Sequence, residues 1–409
     1  MISHMQARQI VIEKVAALIM RQGGIGRAAE TVALPQALNR VMSQQIVADR
    51  DYPPFNRSTR DGYAVRSADC SAGAAKLTLI GEVRAGDTFT GEVGPGECVQ
   101  IMTGAPVPRG ADAVVMLEHV EAGEDEITTQ QTISAGQNVV AAGSEARKGA
   151  ILLQAGTRLG YAEMAIAAQV GASQISVTRR PRVAVLSTGD EVVNYDEKPR
   201  SFQIRNSNNI SLSAQAMLAG ALPTSLGNAP DSAEDMRVRI ERGLKEDALI
   251  ISGGVSMGKY DLVETVLKEM GGELFFDALA IRPGKPAVFG ICKNKPVFGL
   301  PGNPVSTMVT FELLVAPALE LLSGTQPRPL SLLKARLASP VKQKAALTHF
   351  LPAQITWDSN GASVKELDWQ GSGDIVALAQ ANCFVVVPDS RLEIAAGEFA
   401  DVLPIRGAL

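Results

Sequence analysis

RVAVLSTGDE (residues 182–191) carries an apolar run, Val183 to Leu186, straight into a polar turn. It reads as a buried strand that delivers Ser187, Thr188, Gly189, Asp190 and Glu191 to its C-terminal end. Helical spacing follows at about 209–219. DALIISGGVSMG (247–258) repeats the rhythm with a glycine loop, and a helix is expected after Asp261. KPVFGLPGNPVSTMVTFELLVAPALELL (295–322) repeats it a third time. Strand, polar loop and helix in three successive copies predict a parallel α/β domain over about 178–324. In such sheets ligands bind beyond the C-terminal ends of the strands, where these loops lie.

On either side the rhythm differs. Residues 9–22 have apolar side chains at helical spacing, and a second helix is expected over Pro35–Gln44. Leu77 to Thr129 alternates short β-rich pieces with turns, an antiparallel pattern. A helix is expected near 160–170. After SGTQPRPL (323–330), which reads as a linker, the remainder consists of short strands and turns, a small β-barrel or a sandwich.

Composition narrows the function. Of 409 residues, 46% are hydrophobic and 20% charged, which describes a folded chain of several domains. A net charge of -4 argues against nucleic acid as a partner, since phosphate neutralisation needs a basic surface. Cys70, Cys98, Cys292 and Cys383 lie far apart and there are only 3 histidines, so a Cys/His zinc site is not expected. No apolar run reaches the ~20 residues that span a bilayer, and MISHMQARQ lacks the pattern of a signal peptide. The expectation is a cytoplasmic protein with no membrane partner.

Several loops have residue types suited to phosphate or oxyanion chemistry. SGGVSMGKYD (252–261) is one residue short of a nucleotide-binding P-loop, because Tyr260 stands where a Ser or Thr hydroxyl would reach magnesium. Gly253 and Gly254 still allow close approach of backbone to ligand, Ser256 adds a donor, and Asp261 adds a hard oxygen ligand. A strand-to-helix turn capped by Asp261 fits the same residues. In GLPGNPVST (299–307), Asn303 suits an N-cap and Pro304 the first helical position. The free N–H groups of that helix, with Ser306, would make an anion site, or the residues only cap it. IRPGKPAVFG (281–290) places Arg282 and Lys285 around a Pro-Gly turn, as oxyanion partners or as solvated charges. Asp231, in APD (229–231), is a further acidic candidate or an exposed turn residue. In the N-terminal half, FNRSTRDGYAV (55–65) and IMTGAPVPRGADAVV (101–115) offer Asp61 and Thr103.

Taken together and in one order, PPFNRSTRDGYAV, GEVRAGD, IMTGAPVPRGADAVV, VAVLSTGDEVV, IRNSN, ISGGVSMGKYD, RPGKP and GLPGNPVS resemble the molybdopterin molybdenumtransferase family, of the MoeA and gephyrin E-domain type. GSGDIVALAQANCFVVVP (371–388) resembles its C-terminal domain. The resemblance implies an α/β multidomain chain. A split N-terminal domain would comprise 1–51 and 142–177, with an inserted β-rich domain at 52–141. A molybdopterin-binding α/β domain at 178–324 and a C-terminal β-barrel at 325–409 would follow. It implies a homodimer whose cleft lies between the α/β domain of one subunit and the inserted domain of the other.

The implied reaction takes adenylyl-molybdopterin and molybdate, inserts the metal at the dithiolene sulfurs, cleaves the pyrophosphate and releases AMP with the help of Mg²⁺. By the resemblance, Asp61, Thr103, Glu191, Asp231 and Asp261 are catalytic, with Asp231 and Asp261 as metal ligands. Ser187, Thr188, Gly189, Asp190, Gly253, Gly254 and Ser256 would bind the pterin nucleotide. Arg282, Lys285 and Ser306 would hold molybdate in a loop shaped by Pro301, Asn303 and Pro304. The adenylyltransferase that makes the substrate and the apo-molybdoenzymes are the implied protein partners. The chain departs from the family pattern at Lys259, where Asp is usual, and at Arg282, where Lys is commoner. It also departs at Ser144-Glu145 and in FNRSTR, which gains Arg57 and Arg60. Alternatives are the adenylyltransferase itself, a scaffold or cofactor-carrier paralogue, and tungstate in place of molybdate.

Overall fold

The computed structural model describes residues 1–24, 29–255, 262–343 and 347–408. Two compact units emerge, one formed by 1–43, 156–160 and 174–409, the other by 44–155 and 161–173.

The larger unit is built on a six-stranded sheet. Its spatial order is Leu222–Ala229, Arg182–Thr188, Ala248–Ser252, Lys295–Leu300, Pro286–Cys292 and Glu273–Ala278. The first four strands are mutually parallel, as the repeated rhythm predicts. Lys293 and Asn294 take positive φ and fold 286–300 into a tight hairpin, so Pro286–Cys292 runs antiparallel, and Glu273–Ala278 pairs antiparallel on its outer edge. Alternate residues serve opposite faces. Val183 and Val185 pack with Phe289 and Phe298 toward the helices Ser207–Leu218 and His4–Arg21, while Ala184 and Leu186 pack with Met236 and Ile240 of the helix Ala233–Gly243. Burial on both faces is why the strands read as unbroken apolar runs.

Pro304 to Leu322 forms one helical rod, long and apolar enough to cross a membrane, yet 83% of it is buried in this core. Its middle turn, Phe311–Val315, is wound as a π-helix and ends two residues before Pro317. Pro317 has no N–H to return to Leu313 O, and the Arg8 Nη1 donates to that carbonyl at 3.2 Å.

The C-terminal strands close on themselves. Thr348–Asp358 pairs with Gly361–Glu366, then come Leu333–Leu337, Phe399–Pro404 and Cys383–Val387, which pairs back onto Thr348–Asp358. This is a closed five-strand barrel filled by Ala335, Leu351, Val364, Val385 and Val402. Arg406, just beyond it, reaches Glu312 and Glu320 on the long rod, at 3.2 Å each.

The smaller unit carries a six-stranded sheet in the order Ala113–Met116, Gly62–Val65, Glu97–Ile101, Ala75–Val83, Glu126–Thr129, Val120–Ala122. It is antiparallel except for one parallel pairing, Ala75–Val83 with Glu97–Ile101, which the alternation of short strands does not reveal. Gly62 is obligatory here: a Cβ would stand 1.9 Å from Val115 O.

The helix expected over Pro35–Gln44 does not form. Only Leu34–Gln36 makes a 3₁₀ turn; Asn39 takes φ 62°, and Val41 and Met42 form bridges to Arg158 and Val177. The Asn39 and Met42 N–H groups donate to Leu159 O and Thr157 O, so long-range pairing displaces the local helix.

Candidate functional site

A cleft of about 1600 Å³ opens in the larger unit, beyond the C-terminal ends of the parallel strands. Three strand ends stand level, with Ser187 in register with Ser252, and Ser252 with Leu300. The loops that leave them form the floor. Thr188 is 6% exposed, and its hydroxyl has no hydrogen-bond partner among the described residues. Gly253 and Gly254 lie directly on it at φ 93° and 66°; a Cβ on Gly253 would meet Thr188 Oγ1 at 2.8 Å. These two positions accept only glycine, on both steric and backbone grounds.

The third loop, Pro301–Ser306, departs from expectation. Asn303 stands at the N-cap with Pro304 following, but its side chain does not cap the helix. Its Nδ2 instead donates to Ser372 Oγ at 2.9 Å, and Ser372 O accepts the Val305 N–H at 2.9 Å. The Thr307 N–H goes to Asn303 O, and Pro304 has none to give. Of the first four helical residues only Ser306 keeps a backbone N–H without a partner among the described residues. The anion site imagined from a whole helix terminus therefore narrows to one residue, Ser306, which lines the cleft.

The Arg282–Lys285 turn is pressed against that same helix. A Cβ on Gly284 would stand 2.8 Å from Thr310 Cγ2 and 3.6 Å from Ser306 O. Both cations are exposed and line the cleft. His349 sits beside Arg282 in strand register. Burial, then the Arg282 charge, pushes its imidazole below the usual value, so it remains neutral.

Acidic residues gather at the opposite lip. The Asp231 N–H donates to Asp190 Oδ1 at 3.1 Å. Burial, then the charges of Asp190 and Glu191, pushes the Asp231 carboxyl upward. Asn228 Nδ2 steadies this lip by donating to Gly189 O and Val192 O at 2.8 and 3.0 Å. Glu191 and Asp231 line the cleft; Asp190 reaches it through Asp231.

Sequence reasoning missed the residues that tie these loops together. Asn206 caps the helix Ser207–Leu218 and accepts from Ser187 Oγ at 2.9 Å. Asn208 Nδ2 donates to Ser252 Oγ at 2.9 Å and to Gly302 O at 2.7 Å. Trp369, Gln370 and Ser372 add a wall from the chain's last third. The signals for the asparagines were an N-cap residue before a helical pattern and their place in the IRNSN motif (204–208), which assigned them no role. Ser372 stood in the GSGDIV stretch that resembles the C-terminal domain, with nothing to tie it to the cleft.

In the smaller unit the structure brings Asp61 and Thr103 together across 42 residues. The Thr103 N–H and Oγ1 donate to Asp61 Oδ1 at 2.6 and 2.7 Å. The backbone bond first, then the hydroxyl, holds the Asp61 carboxyl below its ordinary value. Two departures noted in the sequence also meet: Arg57 Nη2 pairs with Glu145 Oε1 at 3.0 Å. Ser256 and Asp261, with Lys259 and Tyr260, lie outside the described residues.

With this geometry in view, the chain was compared with known proteins. Family models match it over three stretches: the MoeA N-terminal region (domain I and II) over 2–171, a probable molybdopterin binding domain over 184–321, and the MoeA C-terminal region (domain IV) over 334–405. The molybdopterin molybdenumtransferase of Staphylococcus aureus (strain Mu50 / ATCC 700699) is 34% identical over 384 residues, covering 92% of this chain and 91% of its own. That of Bacillus subtilis (strain 168) is 33% identical over 388 residues, covering 92% and 90%. The crystal structure of the molybdopterin biosynthesis MoeA protein from Pyrococcus horikosii matches with a TM-score of 0.75 at 34% identity, over 97% of this chain and 99% of that one.

Proposed function

The chain belongs to the molybdopterin molybdenumtransferase (MoeA) family, and from that premise we propose that it inserts molybdate into adenylyl-molybdopterin, cleaves the pyrophosphate and releases AMP. It is a transferase of molybdenum cofactor biosynthesis. The observation that carries the specific reaction is the convergence of cleft loops from three level strand ends. One side of the cleft has Ser306 with Arg282 and Lys285; the other has the carboxylates of Asp231 and Glu191.

Each side has a part in this reading. Gly253 and Gly254 let the backbone approach the nucleotide, and the Thr188 hydroxyl beneath them, with no partner among the described residues, supplies a hydrogen-bonding group. Arg282, Lys285 and the Ser306 N–H receive the tetrahedral molybdate dianion, for which cations and a backbone donor are the matching chemistry. The acidic lip suits a divalent cation, with Mg²⁺ as the candidate. Burial, and after it the acidic neighbours, pushes Asp231 toward protonation, and a bound cation would relieve the repulsion among the carboxylates. By the family resemblance the cation's ligands are Asp231 and Asp261, the latter outside the described residues, among which no three His, Cys, Asp or Glu side chains close on one point. When bound, the ion offsets charge on the leaving phosphate.

We further infer a homodimer in which Asp61 and Thr103 of one subunit serve the cleft of the other. The support is chemical: an exposed carboxylate held ionised by two donors is a group prepared for a cationic or proton-donating partner. The four-part division at 1–51 with 142–177, 52–141, 178–324 and 325–409 is kept as the domain reading, and the cytoplasm as the compartment. The test is AMP release from adenylyl-molybdopterin as a function of molybdate, run beside pyrophosphate release from ATP with molybdopterin. Molybdate-dependent AMP release is the expected result; ATP-dependent pyrophosphate release alone would transfer the chain to the adenylyltransferase reaction.

A further inference from the structure

We propose that Asn208 is the positioning residue of the oxyanion loop, setting where Pro301–Ser306 stands over the central strand. This inference rests on the molybdenum-insertion reading above.

The strand ends at Ser187, Ser252 and Leu300 are level but leave in three different loops. Two asparagines at the start of one helix hold all three. Asn206 serves Ser187 and its own helix, so the capping role is already filled. Asn208 does something else. Its Nδ2 spends one hydrogen on Ser252 Oγ and the other on Gly302 O, groups 44 and 94 residues away. A carbonyl oxygen accepts only, so the bond to Gly302 fixes which way the amide faces. Ser252 Oγ then passes its own hydrogen to Pro301 O at 3.3 Å. Both carbonyls that open the loop are thus held through one side chain. Gly302 also packs on Gly253, so a displaced loop would disturb the nucleotide cradle as well.

The arrangement is not one that stability alone selects. Asn208 Oδ1 is buried and has no partner among the described residues, an unsatisfied acceptor that folding energetics penalise. What the amide provides is a pair of donors in fixed directions.

The test is steady-state AMP release over a range of molybdate for the wild type, Asn208→Asp and Asn208→Ala, with melting temperatures alongside. Asn208→Asp keeps size and shape but turns an acceptor toward Gly302 O. The expected result is a molybdate KM raised about tenfold or more, with kcat within about threefold, as for lost binding that is equal in ground and transition states. Lowering the pH protonates the new carboxyl and returns one of the two donors, so the KM defect of Asn208→Asp narrows in part; a defect that falls on kcat and melting temperature while the molybdate KM stays put would mark a merely structural role. If Asn208→Ala does not fold, the isosteric variant decides. An unchanged molybdate KM in a folded variant beside an active wild type overturns this inference alone. A wild type without molybdate-dependent AMP release overturns the functional reading beneath it.

Discussion

Asn303 caps its helix by proxy: its amide donates to Ser372 Oγ at 2.9 Å, and Ser372 returns its carbonyl to the helix at Val305 N–H. The turn that the sequence marks as a self-capped helix start is therefore closed by a residue 69 positions away. Asn303→Ala and Ser372→Ala should each cost about 0.5–1.5 kcal/mol, and the double variant should cost clearly less than their sum. Urea unfolding of the three variants checks this, and additive costs would break the link.

The Asp61–Thr103 pair predicts a pH effect of definite sign. The folded carboxyl lies below its unfolded value, so its stabilising contribution is present above the unfolded pKa and fades as pH falls through the folded one. Thr103→Val removes the hydroxyl bond and leaves the backbone bond. The acid limb of kcat/KM should move to higher pH in that variant. A limb that stays in place would show that Asp61 does not govern it.

Subunit complementation follows from the proposed shared cleft. Asp61→Ala and Asp231→Ala should each abolish turnover alone. Random reassociation of equal amounts should restore ~25% of wild-type activity, because half the dimers are mixed and each holds one intact cleft. No recovery on mixing, with mixed dimers shown to be present, would place both residues in the same subunit's site.

Arg406 anchors the end of the chain to two buried acids on the long rod. Arg406→Met should destabilise by about 3–5 kcal/mol, since it removes the cation that both buried carboxylates share and leaves Glu320 only the longer contact to Arg328 at 3.8 Å. Burial already holds Glu312 above its usual carboxylate value. A raised acid in the folded state takes up protons more readily than the unfolded chain, so stability is lost as pH rises through that window. The deficit of Arg406→Met should therefore shrink toward low pH, which denaturation at pH 5 and about pH 8 would read out.

The four cysteines are all buried and free. Burial pushes Cys98 up to about 12 and Cys383 up to about 11. Iodoacetamide at mildly alkaline pH should leave the folded protein unlabelled and modify all 4 thiols in guanidinium, as intact mass would show.

Much of the scaffold was legible because it is written in short-range patterns. The apolar runs at Val183–Leu186 and Ala248–Ile251 announce strands buried on both faces, and Gly253-Gly254 announce a close approach. The ordered motifs placed Glu191, Asp231, Arg282 and Ser306 on loops of one cleft, and the structure collects them there. The helix over Pro35–Gln44 was misread for the converse reason. Its local propensity is real, but hydrogen bonds to Thr157 and Leu159 outweigh it, and nothing in a ten-residue window records them.

The sequence by itself thus determined the parallel strands, the loops at their ends and the family to which they belong, since periodicity and turn chemistry act over a few residues. Only the tertiary structure decided that Ser372 would cap the helix at Pro304, that Asn208 would hold Ser252 and Gly302, and that Asp61 would meet Thr103. Each of these bonds joins residues 42 to 94 positions apart. A hydrogen bond of such span depends on where whole elements come to rest, and that is set by packing of the core, not by the residues beside either partner.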